Sequence, residues 1–341
     1  MSLKKQQRDE IIQFILWNIR EHPGDVVRLT QEKFGLSRTA ILHYTQQLER
    51  EKRINIEGVT RNRKYSLIPL HTIHRKYQLQ PSLAEDKIWR IEVSSLFHGI
   101  KENVINICHY GFTEILNNAI DHSEGTEIDV DVTLWIDRIA MTITDNGVGI
   151  FNKIQKKYNL DDPLHAILEL SKGKLTTEPE THTGEGIFFA SRIFDFFAIL
   201  SDRLSFGYEE GIDMLMETES NTSGTKVHMG ISSISDRTTA NVFAKFATEE
   251  FGFDKTIVPV RLARYGNENL ISRSQAKRLL ARLDRFKTVM LDFNGVPQIG
   301  RAFADEIFRV FVKAHPGTKV FPVNESNAIK QLIQEVMREK Y

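Results

Sequence analysis

The chain has 341 residues, enough for two or three domains, and at 41% hydrophobic and 26% charged it has a globular rather than a disordered or fibrous composition. Forty-five Lys and Arg balance forty-five Asp and Glu, so no chain-wide field selects an acidic or basic partner; the single cysteine, Cys108, excludes an internal disulfide framework and fits a reducing cytoplasm. No apolar run reaches the ~18 residues of a membrane span, the start of the chain reads as charged rather than signal-like, and there is no repeat, low-complexity tract or Cys/His cluster at metal-ligand spacing.

The charge balance hides an asymmetry. Residues 1–70 carry thirteen Lys and Arg against eight Asp and Glu, a local +5 that leaves −5 for the remainder. Ile11, Ile12, Phe14, Ile15 and Ile19 form the apolar side of a first helix, ended by His22-Pro23-Gly24. Residues 26–34 read as a second helix closed by Gly35. Ser37 caps a third, with Ile41, Leu42, Thr45 and Leu48 facing inward. Residues 53–58 and 61–67 read as two strands of a basic hairpin. This order resembles a winged helix-turn-helix. The resemblance implies double-stranded DNA as partner, with Arg38, Thr39, His43 and Tyr44 of the third helix facing outward into the major groove and Arg61, Arg63 and Lys64 of the wing near phosphates. Winged helices also serve as protein-contact modules, and +5 is a moderate charge, so a protein partner stays open. Residues 71–92 are polar, carry Pro81, and read as a linker with a helix near 83–91.

The next stretch carries the most chemistry. Glu114 and Asn118 stand at i and i+4 on an apolar-periodic helix, so their side chains share one face. One can activate water; the other can hold a hard cation through its amide oxygen. An apolar strand (Ile139, Met141, Ile143) then ends in Asp145-Asn146-Gly147-Val148-Gly149-Ile150. Asp145 offers a carboxylate to an exocyclic amine, and Gly147 and Gly149 allow close backbone approach. Taken singly, Asp-x-Gly-x-Gly is a turn after a strand and Glu114 with Asn118 a solvated helix face. In this order they resemble the N box and first glycine box of the ATP-binding fold shared by gyrase B, heat-shock protein 90, sensor histidine kinases and MutL, the GHKL family. Thr183-Gly184-Glu185-Gly186-Ile187 resembles its second glycine box, opening a helix over residues 188–197, and Ser223-Gly224-Thr225-Lys226-Val227 its late strand. The resemblance implies ATP and Mg2+ as cofactors. It implies Glu114 as general base and Asn118 as Mg2+ ligand. Asp145 and Thr225 read adenine, Asp121, Ile150 and Ile187 lie at the nucleotide, and Gly147, Gly149, Gly184 and Gly186 make room for backbone and phosphate. The stretch 171–182, where the family carries a lid, is short and poor in glycine. Cys108, on the apolar approach to the N-box helix, reads as a core thiol.

Further on, residues 270–276 open a helix capped by Ser272 or Ser274. Residues 287–293 form a buried strand, Asn294-Gly295-Val296 a turn, and residues 300–314 an amphipathic helix with Ala302, Ile307, Val310 and Phe311 among its apolar positions. His315-Pro316-Gly317 breaks it; residues 319–323 are a strand and 328–337 a closing helix. Strand, helix, strand, helix implies parallel pairing. This part resembles the STAS-like domains, relatives of the anti-sigma-factor antagonists. Their phosphorylatable Ser is replaced here by Gln298-Ile299-Gly300-Arg301, so phosphorylation at that point is not expected. Asp292 and Asn294 read equally as turn chemistry or as functional groups, and Arg301, Asp305 and Glu306 as surface charges or contact residues.

The expected fold class is α/β multidomain: a winged helix over 1–70, a linker over 71–92, a GHKL-type α/β sandwich over 93–235 and a small STAS-like α/β domain over 236–341. The expected function is a cytosolic regulator in which Mg-ATP binding, with or without slow hydrolysis, controls DNA or protein-partner binding. No membrane partner is expected; the STAS-like domain offers a site for a regulatory protein, and a homodimer is left open. Two other readings fit the same residues: a protein kinase of the anti-sigma-factor or histidine-kinase type, and a protein-interaction switch that never touches DNA.

Overall fold

A computed structural model describes residues 3–80, 82–175, 184–209, 211–247, 253–264 and 268–338. Among these, no helix is long and apolar enough to cross a membrane.

The chain opens with α1 (Leu3–Asn18), α2 (Val26–Phe34) and α3 (Arg38–Arg50), followed by β1 (Ile54–Glu57) and β2 (Lys64–Leu67). Apolar residues at helical spacing, Ile11, Ile15, Leu16 and Ile19, meet Val26, Ile41, Leu48, Ile54 and Tyr65 in a core of their own. Gly35 ends α2 in the left-handed conformation, at φ 66°, and Ser37 caps α3 by accepting from the Ala40 amide at 3.2 Å. The hairpin pairs Ile54 with Leu67 in antiparallel register. Its strands are shorter than the sequence suggests. A 3-10 turn at Thr60–Asn62 forms the tip and takes Arg61, and Arg63 follows it outside β2.

Residues 71–92 are not a linker. His71–Gln78 form β3, the outer strand of a five-stranded antiparallel sheet ordered β3-β4-β5-β7-β6, with β4 (Glu127–Leu134), β5 (Arg138–Asp145), β6 (Phe196–Glu209) and β7 (Ile212–Ser232). Edge position explains the misreading: β3 is half-buried only at Ile73 and Tyr77, so it lacks an apolar alternation. The expected helix near 83–91 appears as α4 (Glu85–Ile88), continued by a π-helical turn over Trp89–Val93.

β4 and β5 alternate cleanly. Ile128, Val130, Val132 and Leu134, with Ile139, Met141 and Ile143, are buried under the helices, while the other face is half-open. Against the buried face lie α5 (Glu102–His122), α6 (Ile150–Tyr158) and α8 (Gly186–Ile193), with α7 (Pro163–Lys172) packed on α6 and α8. Cys108 is fully buried on α5, and burial pushes its thiol up, away from reactivity. α8 is shorter than the expected helix over 188–197. Phe194 turns extended, and residues 196 onward pair with β7, where Phe197 and Ile199 are buried.

After α9 (Thr239–Phe246), a second sheet of parallel strands has the order β10-β9-β8, from β8 (Lys255–Pro259), β9 (Thr288–Asp292) and β10 (Lys319–Val323). β8 escaped the sequence reading. α10 (Arg273–Leu280) carries a full capping box between Ser272 and Gln275. α11 (Arg301–Asp305), a π-helical stretch over Glu306–Phe311 and α12 (Val312–Ala314) form one continuous rod. The wider turn moves the buried face to Phe303, Ala304, Ile307, Phe308 and Phe311, leaving Ala302 exposed and Val310 half-buried. α13 (Asn327–Arg338) closes the chain. Asp292 Oδ1 accepts from the Asn294 amide and the Asn324 side chain, both at 2.9 Å, so it serves the turn. Asp305 pairs with Arg273 and Arg309. The two sheets share one hydrophobic core running from Ile88 to Val336.

Candidate functional site

One cavity opens between α5, the turn after β5, α6, the C-terminal end of α7, the start of α8 and β7. α5 presents two faces. Val104, Ile107, Phe112 and Leu116 pack inward at helical spacing; Glu114, Asn117, Asn118, Ala119 and His122 line the cavity.

Asp145, at the last residue of β5, is 6% exposed. Its Oδ1 accepts from the Gly147 amide at 2.9 Å and the Thr225 amide at 3.2 Å, because β5 pairs Asp145 with Thr225 of β7. Burial raises its carboxyl above the ordinary aspartate range, and the Gly147 and Thr225 donors oppose that shift. Thr225 Oγ1 in turn accepts from the Ile150 amide at 3.0 Å, tying the first turn of α6 to the strand.

The glycines act in distinct ways. Gly149 has φ 81° and lines the cavity. Gly147 does not line it; a Cβ there would stand 1.9 Å from the Ser123 carbonyl, so this glycine serves packing of the turn on the end of α5. Gly184 lines the cavity at φ 72°. Gly186 opens α8, and a Cβ on it would lie 1.9 Å from Glu114 Oε2, so only glycine lets the helix start beside that carboxylate. The amides at this start lack intrahelical partners and suit an anion. Thr183 and the lid stretch beyond Leu175 lie outside the described residues.

Ten further positions are placed as follows. Ile150 and Ile187 line the cavity, whereas Asp121 sits on the exposed face of α5 outside it. Arg38, Thr39 and His43 are exposed on α3 and Lys64 on β2. Arg63 is half-buried. Tyr44 was expected to face outward but is half-buried and packs against the N-terminal core. The Arg61 side chain lies outside the described residues.

Sequence reasoning missed Gly224, Lys153, Leu170 and Leu175. Gly224 has φ 73°, and a Cβ there would stand 2.1 Å from the Asp145 carbonyl; a glycine just before Thr225 was the available signal. Lys153 Nζ reaches the His122 carbonyl at 2.8 Å and Glu124 at 2.9 Å, and nothing in the sequence separates it from Lys156 and Lys157.

These residues fit a purine nucleotide. They offer a fixed, buried carboxylate for an amine, apolar walls from Ile115, Ile143, Ile154 and Val227, and a helix start where no side chain fits. They also fit a shared Mg2+. Asn118 Nδ2 donates to the Glu114 carbonyl at 2.7 Å, which leaves its amide oxygen for a cation. Among the described residues no group of three or more His, Cys, Asp or Glu could hold a metal.

Residues 104–252 match the family model described as histidine kinase-, DNA gyrase B- and HSP90-like ATPase, and residues 275–330 match that described as a STAS-like domain of unknown function. No curated protein and no solved structure matches the chain. The chain carries a GHKL-type ATPase domain, which implies ATP binding, usually with Mg2+, and a STAS-like domain after it.

Proposed function

We propose that the chain is an ATP-dependent regulator whose N-terminal unit is a DNA-binding winged helix. The observation that carries the nucleotide half is Asp145: buried, oriented by two backbone amides, and set in the wall of a cavity that also holds Glu114 and Asn118. In this reading Asp145 accepts the adenine amine and Thr225 supports it. Asn118 holds Mg2+, which when bound would screen phosphate charge. Glu114 accepts a proton from the attacking water where hydrolysis occurs, and the start of α8 at Gly186 receives phosphate.

Support for the DNA half comes from three helices with a capped third, a two-stranded hairpin, the local +5 charge, and exposed Arg38, Thr39 and His43 on one helix. The unit is joined to the ATPase region at the β4–β5 turn. Arg20 makes a two-pronged pair with Asp137, at 2.7 and 3.1 Å, and its guanidinium lies over the Trp135 ring. β5 then runs from Arg138 directly to Asp145, giving a short mechanical path from nucleotide to DNA-binding unit.

Calorimetric titration of Mg-ATP tests the nucleotide site. Asp145→Asn presents a donor where the adenine amine needs an acceptor, and affinity should fall on the order of a hundredfold. Equal affinity in variant and wild type would remove Asp145 from the site.

A further inference from the structure

The end of α7 supplies two residues around the nucleotide cavity, Leu170 within the helix and Leu175 just beyond it. Between them, three consecutive residues are engaged by the STAS-like side. Lys172 is 2% exposed, and its ammonium reaches three acceptors: Glu169 Oε1 at 2.7 Å, the Ala281 carbonyl at 2.9 Å and the Arg278 carbonyl at 3.3 Å. An ammonium has three protons to donate, so this buried charge is fully satisfied. Arg278 is in the last turn of α10 and Ala281 is its C-cap, so Lys172 caps that helix across the domain junction.

The junction is reciprocal. Thr256 Oγ1, on β8, donates to the Lys172 carbonyl at 2.6 Å and so caps α7. Gly173 has φ 81°, and a Cβ there would stand 2.6 Å from the Phe253 ring. Lys174 bonds Asp254 at 3.1 Å and lies over the Phe286 ring. Arg282 completes the cluster from α10's far side, pairing with the second oxygen of Glu169 at 2.7 Å. The Leu175 amide then donates to the Gly184 carbonyl at 3.2 Å, joining two residues that both line the cavity.

We infer that Lys172 and Thr256 are positioning residues for the nucleotide site, through which the STAS-like domain sets the wall formed by Leu170, Leu175 and Gly184. The inference rests on the nucleotide reading of that cavity. It makes the STAS-like domain a structural part of the ATP site.

The test uses the full chain. Lys172→Met and Thr256→Val each remove one side of the reciprocal cap, and Mg-ATP affinity should fall about tenfold in each. Thr256→Ser keeps the hydroxyl and should bind as wild type. Ile333→Val, in the α13 core away from the junction, controls for general loss of stability and should leave affinity unchanged. Hydrogen exchange at residues 170–175, measured without nucleotide, should quicken in Lys172→Met and Thr256→Val but not in the control. Unchanged exchange, or unchanged ATP affinity in both variants, overturns the inference. A wild type that binds no ATP overturns the nucleotide reading instead, and the exchange measurement still decides whether the STAS-like domain holds that wall.

Discussion

The ATPase domain meets its two neighbours in opposite ways. Toward the STAS-like domain it shares one continuous core, and the groups that cross the junction are buried: Lys172, Glu169 and Thr256. Toward the N-terminal unit the cores are separate, and the Ile136 side chain of the β4–β5 turn packs against that other core. The ion pair there joins the nearly buried Asp137 to an Arg20 that remains one-third exposed. A shared core moves as one body, because close-packed interiors have few alternative arrangements. A turn held by an ion pair, a ring contact and one apolar side chain can be remade for a few kcal/mol, the scale of a ligand's differential affinity for two states. In the proposed function, therefore, the STAS-like junction shapes the site and the N-terminal junction responds to it.

The largest expected effect separates chemistry from this response. Glu114→Gln keeps the shape beside Gly186 and removes the base, so hydrolysis should fall by roughly 10²-fold or more while Mg-ATP still binds. Steady-state phosphate release and calorimetry read the two quantities. If the N-terminal unit's DNA affinity still answers to ATP in this variant, binding alone moves the junction. Turnover at the wild-type rate would show that Glu114 is not the base.

The two junctions also differ in how much the sequence disclosed. The cavity was readable because its parts are local patterns. Glu114 and Asn118 share a helix face by spacing, and Asp145-x-Gly-x-Gly follows an alternating strand. What the sequence hid depends on distant partners. Lys172 falls in the stretch 171–182, read as the place of a short lid; α10 and β8, more than eighty residues later, bury it. β3 looked like a linker because an outer strand needs no apolar face, and the long β6–β7 hairpin looked helical at Phe194–Phe197 because aromatic runs suit both states. Asp121 matches the motif by position, yet it is exposed while its neighbour His122, a helical step of 100° further round, lines the cavity.

An intermediate effect tests the N-terminal junction directly. Arg20→Ala leaves Asp137 nearly buried, with Arg138 at 3.5 Å as an ion-pair neighbour, and should destabilise by ~2–3 kcal/mol. Thermal unfolding reads that cost. Mg-ATP affinity should stay at the wild-type value, since Asp137 lies at the opposite end of β5 from Asp145, while the effect of ATP on DNA affinity should disappear. Persistence of that effect would place the coupling elsewhere, along the chain from β2 into β3.

The smallest effects lie within the N-terminal unit, and they distinguish a DNA reader from a protein-contact module. Arg63 and Lys64 stand at the hairpin, where a groove-bound α3 would bring them to the sugar-phosphate backbone. Arg63→Ala and Lys64→Ala should weaken binding to all DNA alike, each flattening the plot of log K against log salt by about one. Arg38 is exposed in the first turn of α3, the part of a recognition helix that meets base edges. Arg38→Ala should weaken the preferred sequence more than random DNA, by about 1 kcal/mol or more. Tyr44, half-buried against the core, should act through stability and affect both DNAs equally. Fluorescence anisotropy of the full chain at low salt, with and without Mg-ATP, reads all three. No binding to any genomic DNA pool in either state would assign the three-helix unit to a protein partner, and the same exposed face of α3 would then be the contact surface to map.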